Sequence, residues 1–277
     1  MLNHPNYSPR HLDFFIKVYS AKEHKSSYQF YESLQDYLEK PLAFWKEAFG
    51  KLNPTAQLIL LILLVSSDPL DLQSLKKTFD ATQTEARQTL NVDIIPLDFQ
   101  KELIKLEEFY ISILEDDNYE TTLIEFQSPG IKDYLLEYLR IEGYSWIKPI
   151  ISNAVFLNQL TFIFDTDEDK NVMDSDSEIH LYGKKIKLDG SLQKALKQKL
   201  ISEFDNLYFS NYKEREFSDQ LTRFDSDEDI KYLKLLEIRR LFDFALPDND
   251  DIKAFVVKQV LSDFDAYNKQ QKKVVSL

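Results

Sequence analysis

The chain of 277 residues contains no cysteine. That absence excludes disulfides, thiolate metal sites and a cysteine nucleophile, and it suits a reducing compartment. Glycine is almost as scarce, with only Gly50, Gly130, Gly143, Gly183 and Gly190. A phosphate-cradling loop needs glycine where backbone N–H groups approach the anion without a Cβ in the way. The two Gly-Lys pairs, at Gly50 and Gly183, have Trp45 and Glu178 where a P-loop would place its first glycine. Neither a Walker A loop nor a dinucleotide fingerprint can be built from these residues. The four histidines, His4, His11, His24 and His180, lack the spacing that puts two metal ligands on one helix face. A Gly-x-Ser-x-Gly elbow is missing too. The polypeptide on its own is therefore not expected to be an enzyme, and no catalytic or metal-ligating set can be named.

Long apolar runs are also lacking. The longest, Leu58 to Val65, is far short of the roughly 20 residues a membrane span needs. The opening Met1-Leu2-Asn3-His4-Pro5 has neither the basic nor the apolar region of a signal peptide. A cytoplasmic protein without membrane association is expected. Positive charge is in deficit as well: 34 Lys+Arg stand against 47 Asp+Glu, a formal charge of −13. Surfaces that coat phosphate backbones need clustered Lys and Arg, so nucleic acid is not the expected partner.

What remains is an ordinary globular composition, 43% hydrophobic and 29% charged, long enough for about two domains. The patterning predicts a mainly α fold with small β-hairpins. Ser8-Pro9 is a cap-plus-proline helix start, followed by Leu12, Phe15, Ile16 and Tyr19 at helical spacing. A second helix is read from Ser27 to Glu39, with Phe30, Leu34, Tyr37 and Leu38 inward and Pro41 as its stop. Leu42 to Phe49 gives a third. Asn53-Pro54 opens the most apolar helix, up to Val65, which reads as the buried centre of a domain. Asp68 to Phe79 supplies a further helix, and Asp93 to Leu106, with Leu97, Leu103, Ile104 and Leu106, another after Pro96.

The period then changes. Phe109 to Ile113 and Thr121 to Phe126 are rich in β-branched and aromatic residues and flank the polar turn Glu115-Asp116-Asp117-Asn118, so they read as a hairpin. Three helices followed by such a hairpin is the layout of a winged helix-turn-helix, with residues 108–126 as the wing. Ser128-Pro129 caps the next helix, Ile131 to Leu139. Farther on, Trp146 to Phe164 reads as one helix interrupted or started by Pro149, 165–178 as an acidic loop, and Ile179 to Leu188 as a small hairpin around Gly183. Leu192 to Phe204, Ile230 to Phe244 and Ile252 to Tyr267 complete a helical C-terminal part.

Two segments carry a resemblance. His4-Pro5-Asn6-Tyr7-Ser8-Pro9-Arg10-His11-Leu12-Asp13-Phe14-Phe15 resembles the helix that starts the lid after the core of AAA+-like ATPases. Phe126-Gln127-Ser128-Pro129-Gly130-Ile131-Lys132-Asp133-Tyr134-Leu135-Leu136-Glu137-Tyr138-Leu139 resembles the helix after the wing in the same proteins. These are the signal-transduction ATPases with numerous domains, the STAND ATPases, and in particular the novel STAND group tied to phage defence in bacteria. The resemblance covers roughly the first 140 to 165 residues and implies a helical lid-like segment over 1–50 and a winged helix over 51–142, while the patterning gives a helical C-terminal domain over 143–277. It also implies a nucleotide-controlled signalling switch, with this chain as its non-catalytic regulatory and interaction module. Family members carry a P-loop core before the lid, so the chain is expected to be a fragment or to take its core from another polypeptide. ATP or ADP would enter only with that core, and the implied partners are the core or other proteins.

Within this frame Arg10 matches the position of a sensor arginine reaching the γ-phosphate, where a guanidinium in the first turn of a helix forks onto phosphate oxygens. The alternative to the switch is a free-standing winged-helix regulator that binds nucleic acid. Local charge opposes it: Lys101 and Lys105 face Asp98, Glu102, Glu107 and Glu108, and the wing tip is acidic. Asp165-x-Asp167-x-Asp169 begins like a calcium loop, but Lys170 takes the place of the turn glycine and Asp176 that of the bidentate glutamate, so a solvated acidic loop is expected. The acids at Asp225 to Asp229 and Asp248 to Asp251 are read as helix-start charges, and the aromatics as core.

Overall fold

The computed structural model describes residues 12–13, 15–16, 26–39, 41–66, 69–116, 120–166, 185–208, 227–242 and 247–275. The chain is mainly helical with a small antiparallel sheet, as its patterning predicts, and divides into two units, Met1–Ile150 and Ile151–Leu277.

In the first unit Leu12, Asp13, Phe15 and Ile16 are helical and Phe15 is fully buried; Ser8, Pro9 and Tyr19 of the same predicted helix lie outside the described residues. Helix α1 (Ser27–Glu39) buries Leu34, Tyr37 and Leu38. Pro41 then opens α2 (Pro41–Gly50), since proline is tolerated in a first turn but not in an interior. Helix α3 (Pro54–Val65) starts at Asn53, whose Oδ1 accepts the Ala56 N–H at 2.9 Å. Its residues from Leu58 to Val65 are at most 2% exposed, so it is the expected centre of the core.

The next segment departs from the predicted helix over 68–79. Leu70–Asp71 is a strand, β1, and α4 (Leu72–Leu90) begins only after it. The change is set by distant pairing, because Leu70 lies opposite Ile124 and Asp71 opposite Leu123. Asp71 also caps α4, its Oδ1 accepting the Ser74 N–H at 2.8 Å. The helix outruns its predicted end because buried Thr82 and Ala86 continue the inward face without large side chains. It stops at Asn91, which takes the left-handed conformation at φ 52° that Asn tolerates well. The helix expected after Pro96 within Asp93 to Leu106 forms as α5 (Phe99–Glu107), preceded by a short 3-10 turn, Pro96–Asp98. Pro96 biases Ile95 away from helix, and the Ile95 N–H instead donates to Thr55 Oγ1 at 3.0 Å.

Strands β2 (Ile111–Asp116) and β3 (Thr121–Phe126) pair antiparallel, from Ile111 opposite Phe126 to Asp116 opposite Thr121. Phe109 and Tyr110 belong to the turn that leaves α5, where the Tyr110 N–H donates to the Leu106 carbonyl at 2.8 Å. The strand instead runs on through Glu115 and Asp116, two acids expected in the hairpin turn. Thr122 lies opposite Glu115 and its Oγ1 donates to that carboxylate at 3.3 Å, which suits the longer ladder. Asp117 and Asn118 lie outside the described residues. With sheet order β1-β3-β2, the helix, strand, two helices and two strands follow the element order expected of a winged helix-turn-helix. Helix α6 (Pro129–Ile141) follows, capped by Ser128 as expected, its Oγ accepting the Gly130 N–H at 3.2 Å.

Aromatic contacts tie α1 and α2 to this body. Phe15 stacks on Tyr37, Tyr37 meets Phe44 edge-on at 4.3 Å, and Trp45 lies 5.9 Å from Tyr110. Phe49 packs against Tyr134 and Tyr138 of α6. Gly143 is needed at the end of α6, because a Cβ there would lie 2.3 Å from the Tyr138 ring, which Trp146 Nε1 holds by donating to its hydroxyl at 3.2 Å.

Beyond α6 the structure corrects one expectation. Trp146 to Phe164 is not one helix but a 3-10 turn at Tyr144–Trp146, then α7 (Ile147–Ser152), which spans the division between the units, and α8 (Asn158–Thr161). Gln159 breaks it: its Oε1 accepts the N–H groups of Val155 and Phe156 at 2.9 and 3.1 Å, offering the backbone an alternative to the helical ladder. Most of the hairpin expected over 179–188 lies outside the described residues. Strand β5 (Ile186–Lys187) pairs in parallel with β4 (Phe164–Asp165), which places Asp165 in a strand; Gly183 and residues 167–184 lie outside the described residues. Helices α9 (Gly190–Ser202), α10 (Asp227–Leu241) and α11 (Asp250–Val275) complete the unit, with Asp250 and Asp251 in the first turn of α11. Lys197 is buried and donates to the Asp248 carbonyl; Lys234 donates to the Phe204 carbonyl at 3.2 Å beneath the rings of Phe204 and Tyr208.

Candidate functional site

In a winged helix the third helix and the wing form the surface that meets a partner. Here α5 turns Phe99, Glu102, Leu103 and Leu106 into the core. That choice of inward face places Leu97, Lys101, Ile104 and Glu108 on the opposite side, at spacings of three and four residues. Leu97 is 93% exposed and Ile104 57% exposed. Leu97 is held out by the 3-10 turn, which the Asp98 N–H closes by donating to the Ile95 carbonyl at 3.0 Å.

One of the two cations of the helix is paired within it, and the other only approaches the acid that precedes it. Lys105 Nζ donates to Glu102 Oε1 at 2.6 Å, and Lys101 Nζ lies 3.9 Å from Asp98 Oδ1. Glu102 is itself buried, so taking Lys105 away leaves a desolvated carboxylate behind. Lys105→Met should therefore lower stability by about 1–3 kcal/mol in urea unfolding, and adding Glu102→Gln should recover most of the loss. An unchanged midpoint in the single variant would show that the pair does not hold Glu102 in the core.

The wing carries charge of the same sign. Glu115 and Asp116 lie on β2, and Glu120 enters β3 in the left-handed region at φ 50°. Across residues 96–120 there are eight carboxylates and two lysines.

The aromatic cluster is core, as the sequence predicts for Phe15, Phe44, Trp45 and Phe49. Burial pushes the hydroxyls of Tyr110, Tyr134 and Tyr138 above their ordinary pKa of 10.0, with Tyr134 repelling Tyr110 and Glu142 repelling the other two. The unfolded chain ionises these tyrosines near pH 10 while the folded chain keeps them neutral. Their contribution to stability is thus complete below pH 10 and falls as pH rises beyond it. The urea midpoint of the wild type should drop more steeply above about pH 10 than that of Tyr110→Phe. Parallel curves for the two proteins would contradict the assignment.

Arg10, the predicted sensor residue, lies outside the described residues, as do Asp167 and Asp169 of the calcium-like stretch. Among the described residues no group of His, Asp or Glu could hold a metal ion, and no helix is long and apolar enough to cross a membrane. Sequence reasoning placed Lys101 and Lys105 on this helix but missed the outward Leu97 and Ile104. The signal was there: the inward spacing of Phe99, Leu103 and Leu106 assigns them to the other side. Compared with known families, curated proteins and solved structures, the chain matches none.

Proposed function

We propose that this chain is a non-catalytic regulatory and interaction module of a STAND-type ATPase signalling switch in bacterial defence, and that its winged helix packs against protein. The observation that carries the reading is α5 with the turn before it, which offers outward Leu97 and Ile104 while Lys105 pairs with Glu102 and Lys101 lies near Asp98. Duplex binding needs the reverse, cations directed at phosphate. Two further features support it: helices α1 and α2 share an aromatic core with the winged helix, as a lid joined to such a domain would, and the chain lacks the glycines of a phosphate loop. The free-standing nucleic-acid regulator has only the winged-helix topology in its favour.

Nucleotide enters this reading through a P-loop core on the same or another polypeptide, with Arg10 as its contact from the lid. Purified chain should release no phosphate from ATP, whereas the assembly with its core should bind ATP better than ADP. In that assembly Arg10→Ala should reduce the preference for ATP about tenfold or more, and Arg10→Lys should restore it only in part, because an ammonium lacks the planar fork. ATP turnover by the chain alone overturns the non-catalytic reading. Unchanged nucleotide preference in Arg10→Ala removes Arg10 from the site.

A further inference from the structure

We infer that the arginine end of α10 is a docking surface for the chain's own acidic stretch, residues 167–178. The inference concerns the second unit and stands apart from the winged-helix reading. Helix α10 turns Lys234, Leu235, Ile238 and Leu241 inward. Tyr232, Leu236, Arg239 and Arg240 therefore share its outward side, at the spacings of three and four that bring residues together on one helix face. Tyr232 is 43% exposed and Leu236 52%, and both arginines are exposed one turn beyond Leu236. Arg240 meets Glu237 at 2.8 Å, whereas Arg239 makes no ion pair among the described residues.

Two observations name the occupant. The first is where the stretch begins. Thr166, the residue before it, is buried, and its Oγ1 donates to the Leu241 carbonyl at 2.6 Å, one residue past Arg240. A chain leaving that point covers about 3.3–3.6 Å per residue when extended, so Asp167, Glu168 and Asp169 span about 10 Å and can reach either guanidinium. The second is charge. Residues 167–178 hold six carboxylates and one lysine, opposite in sign to the two arginines. Exposed ion pairs are individually weak. Here several carboxylates share two arginines, and the tether at Thr166 sets their effective concentration in the millimolar range of a short linker. A polyanion free in solution has the same charge without that advantage.

The chain lacks cysteine, so an introduced pair reports a single contact. Asn171→Cys is combined with Leu236→Cys in the whole chain and equilibrated with glutathione, which turns the disulfide yield into an effective concentration. The pair should close within one chain. Its effective concentration should fall at least about threefold at about 0.5 M salt, and equally in Arg239→Gln/Arg240→Gln and in Asp167→Asn/Asp169→Asn/Asp174→Asn/Asp176→Asn. Arg239→Lys/Arg240→Lys keeps the charge and should retain most of it. Because Arg239 and Arg240 are exposed, their variants should melt with the two-cysteine parent, which is checked first. No disulfide, or an effective concentration indifferent to salt and to both sets of neutral variants, would show that charge does not hold the stretch on α10, and the inference is wrong. A disulfide joining two chains, read as a doubled mass, would give the surface to a second copy and overturn it equally. Neither result bears on the winged helix, whose reading is tested with duplex DNA.

Discussion

Trp45→Ala should cost the first unit about 3–5 kcal/mol, the range for removing a large aromatic side chain from a closed core. Trp45 is 1% exposed and lies between Phe44, on its own helix, and Tyr110, at the foot of the wing. Its indole nitrogen sits 3.0 Å from the point where a Cβ on Gly130 would stand, so α2 approaches the first turn of α6 closely. The indole thereby joins the α1–α2 segment to the winged helix. Hydrogen exchange should rise most over residues 27–50, with α3 less affected, since α3 is covered by α4, α5 and α6 as well. Trp45→Phe should lose less. A loss under about 1 kcal/mol in Trp45→Ala, or exchange that rises evenly across the unit, would mean that the two parts do not share a core.

The second large effect separates inward from outward apolar residues. Leu61 is fully buried in α3, and Leu61→Ala should destabilise by about 2–5 kcal/mol through lost transfer energy and the cavity left behind. Leu97→Ser, on the exposed side of the same unit, should change stability by no more than about 0.5 kcal/mol. Urea unfolding of the two variants reads the difference directly. If Leu97→Ser proves as damaging as Leu61→Ala, Leu97 is part of the core and the docking face disappears.

Local chemistry made much of this fold legible. Asn53-Pro54 and Ser128-Pro129 announce helix starts because a capping side chain and a first-turn proline act within three residues. The span Ser27–Glu39 was readable for the same reason, bounded by an amphipathic period and Pro41. What escaped was set at a distance. Two residues, Leu70 and Asp71, become a strand only because β3 arrives from more than fifty positions away. The parallel pair of β4 and β5 likewise depends on a partner about twenty residues off, and no local turn signal encodes it. The break before α8 turns on one glutamine side chain competing for backbone N–H groups, a choice that apolar periodicity does not register.

The candidate site was legible by halves. The acidity of α5 and the wing is plain in the residue types, and the structure adds that Lys105 is locked onto a buried Glu102. That Leu97 and Ile104 stand outward follows from the inward spacing of Phe99, Leu103 and Leu106, and the packed unit leaves both exposed. Arg10 rests on the family resemblance alone.

The central claim, that this winged helix meets protein rather than nucleic acid, is tested most directly by titrating the whole chain into labelled duplex DNA at low salt and following anisotropy. The account predicts a flat titration, unchanged by Lys101→Ala/Lys105→Ala, because neither lysine is directed at phosphate. A salt-sensitive rise that the double substitution abolishes would contradict it.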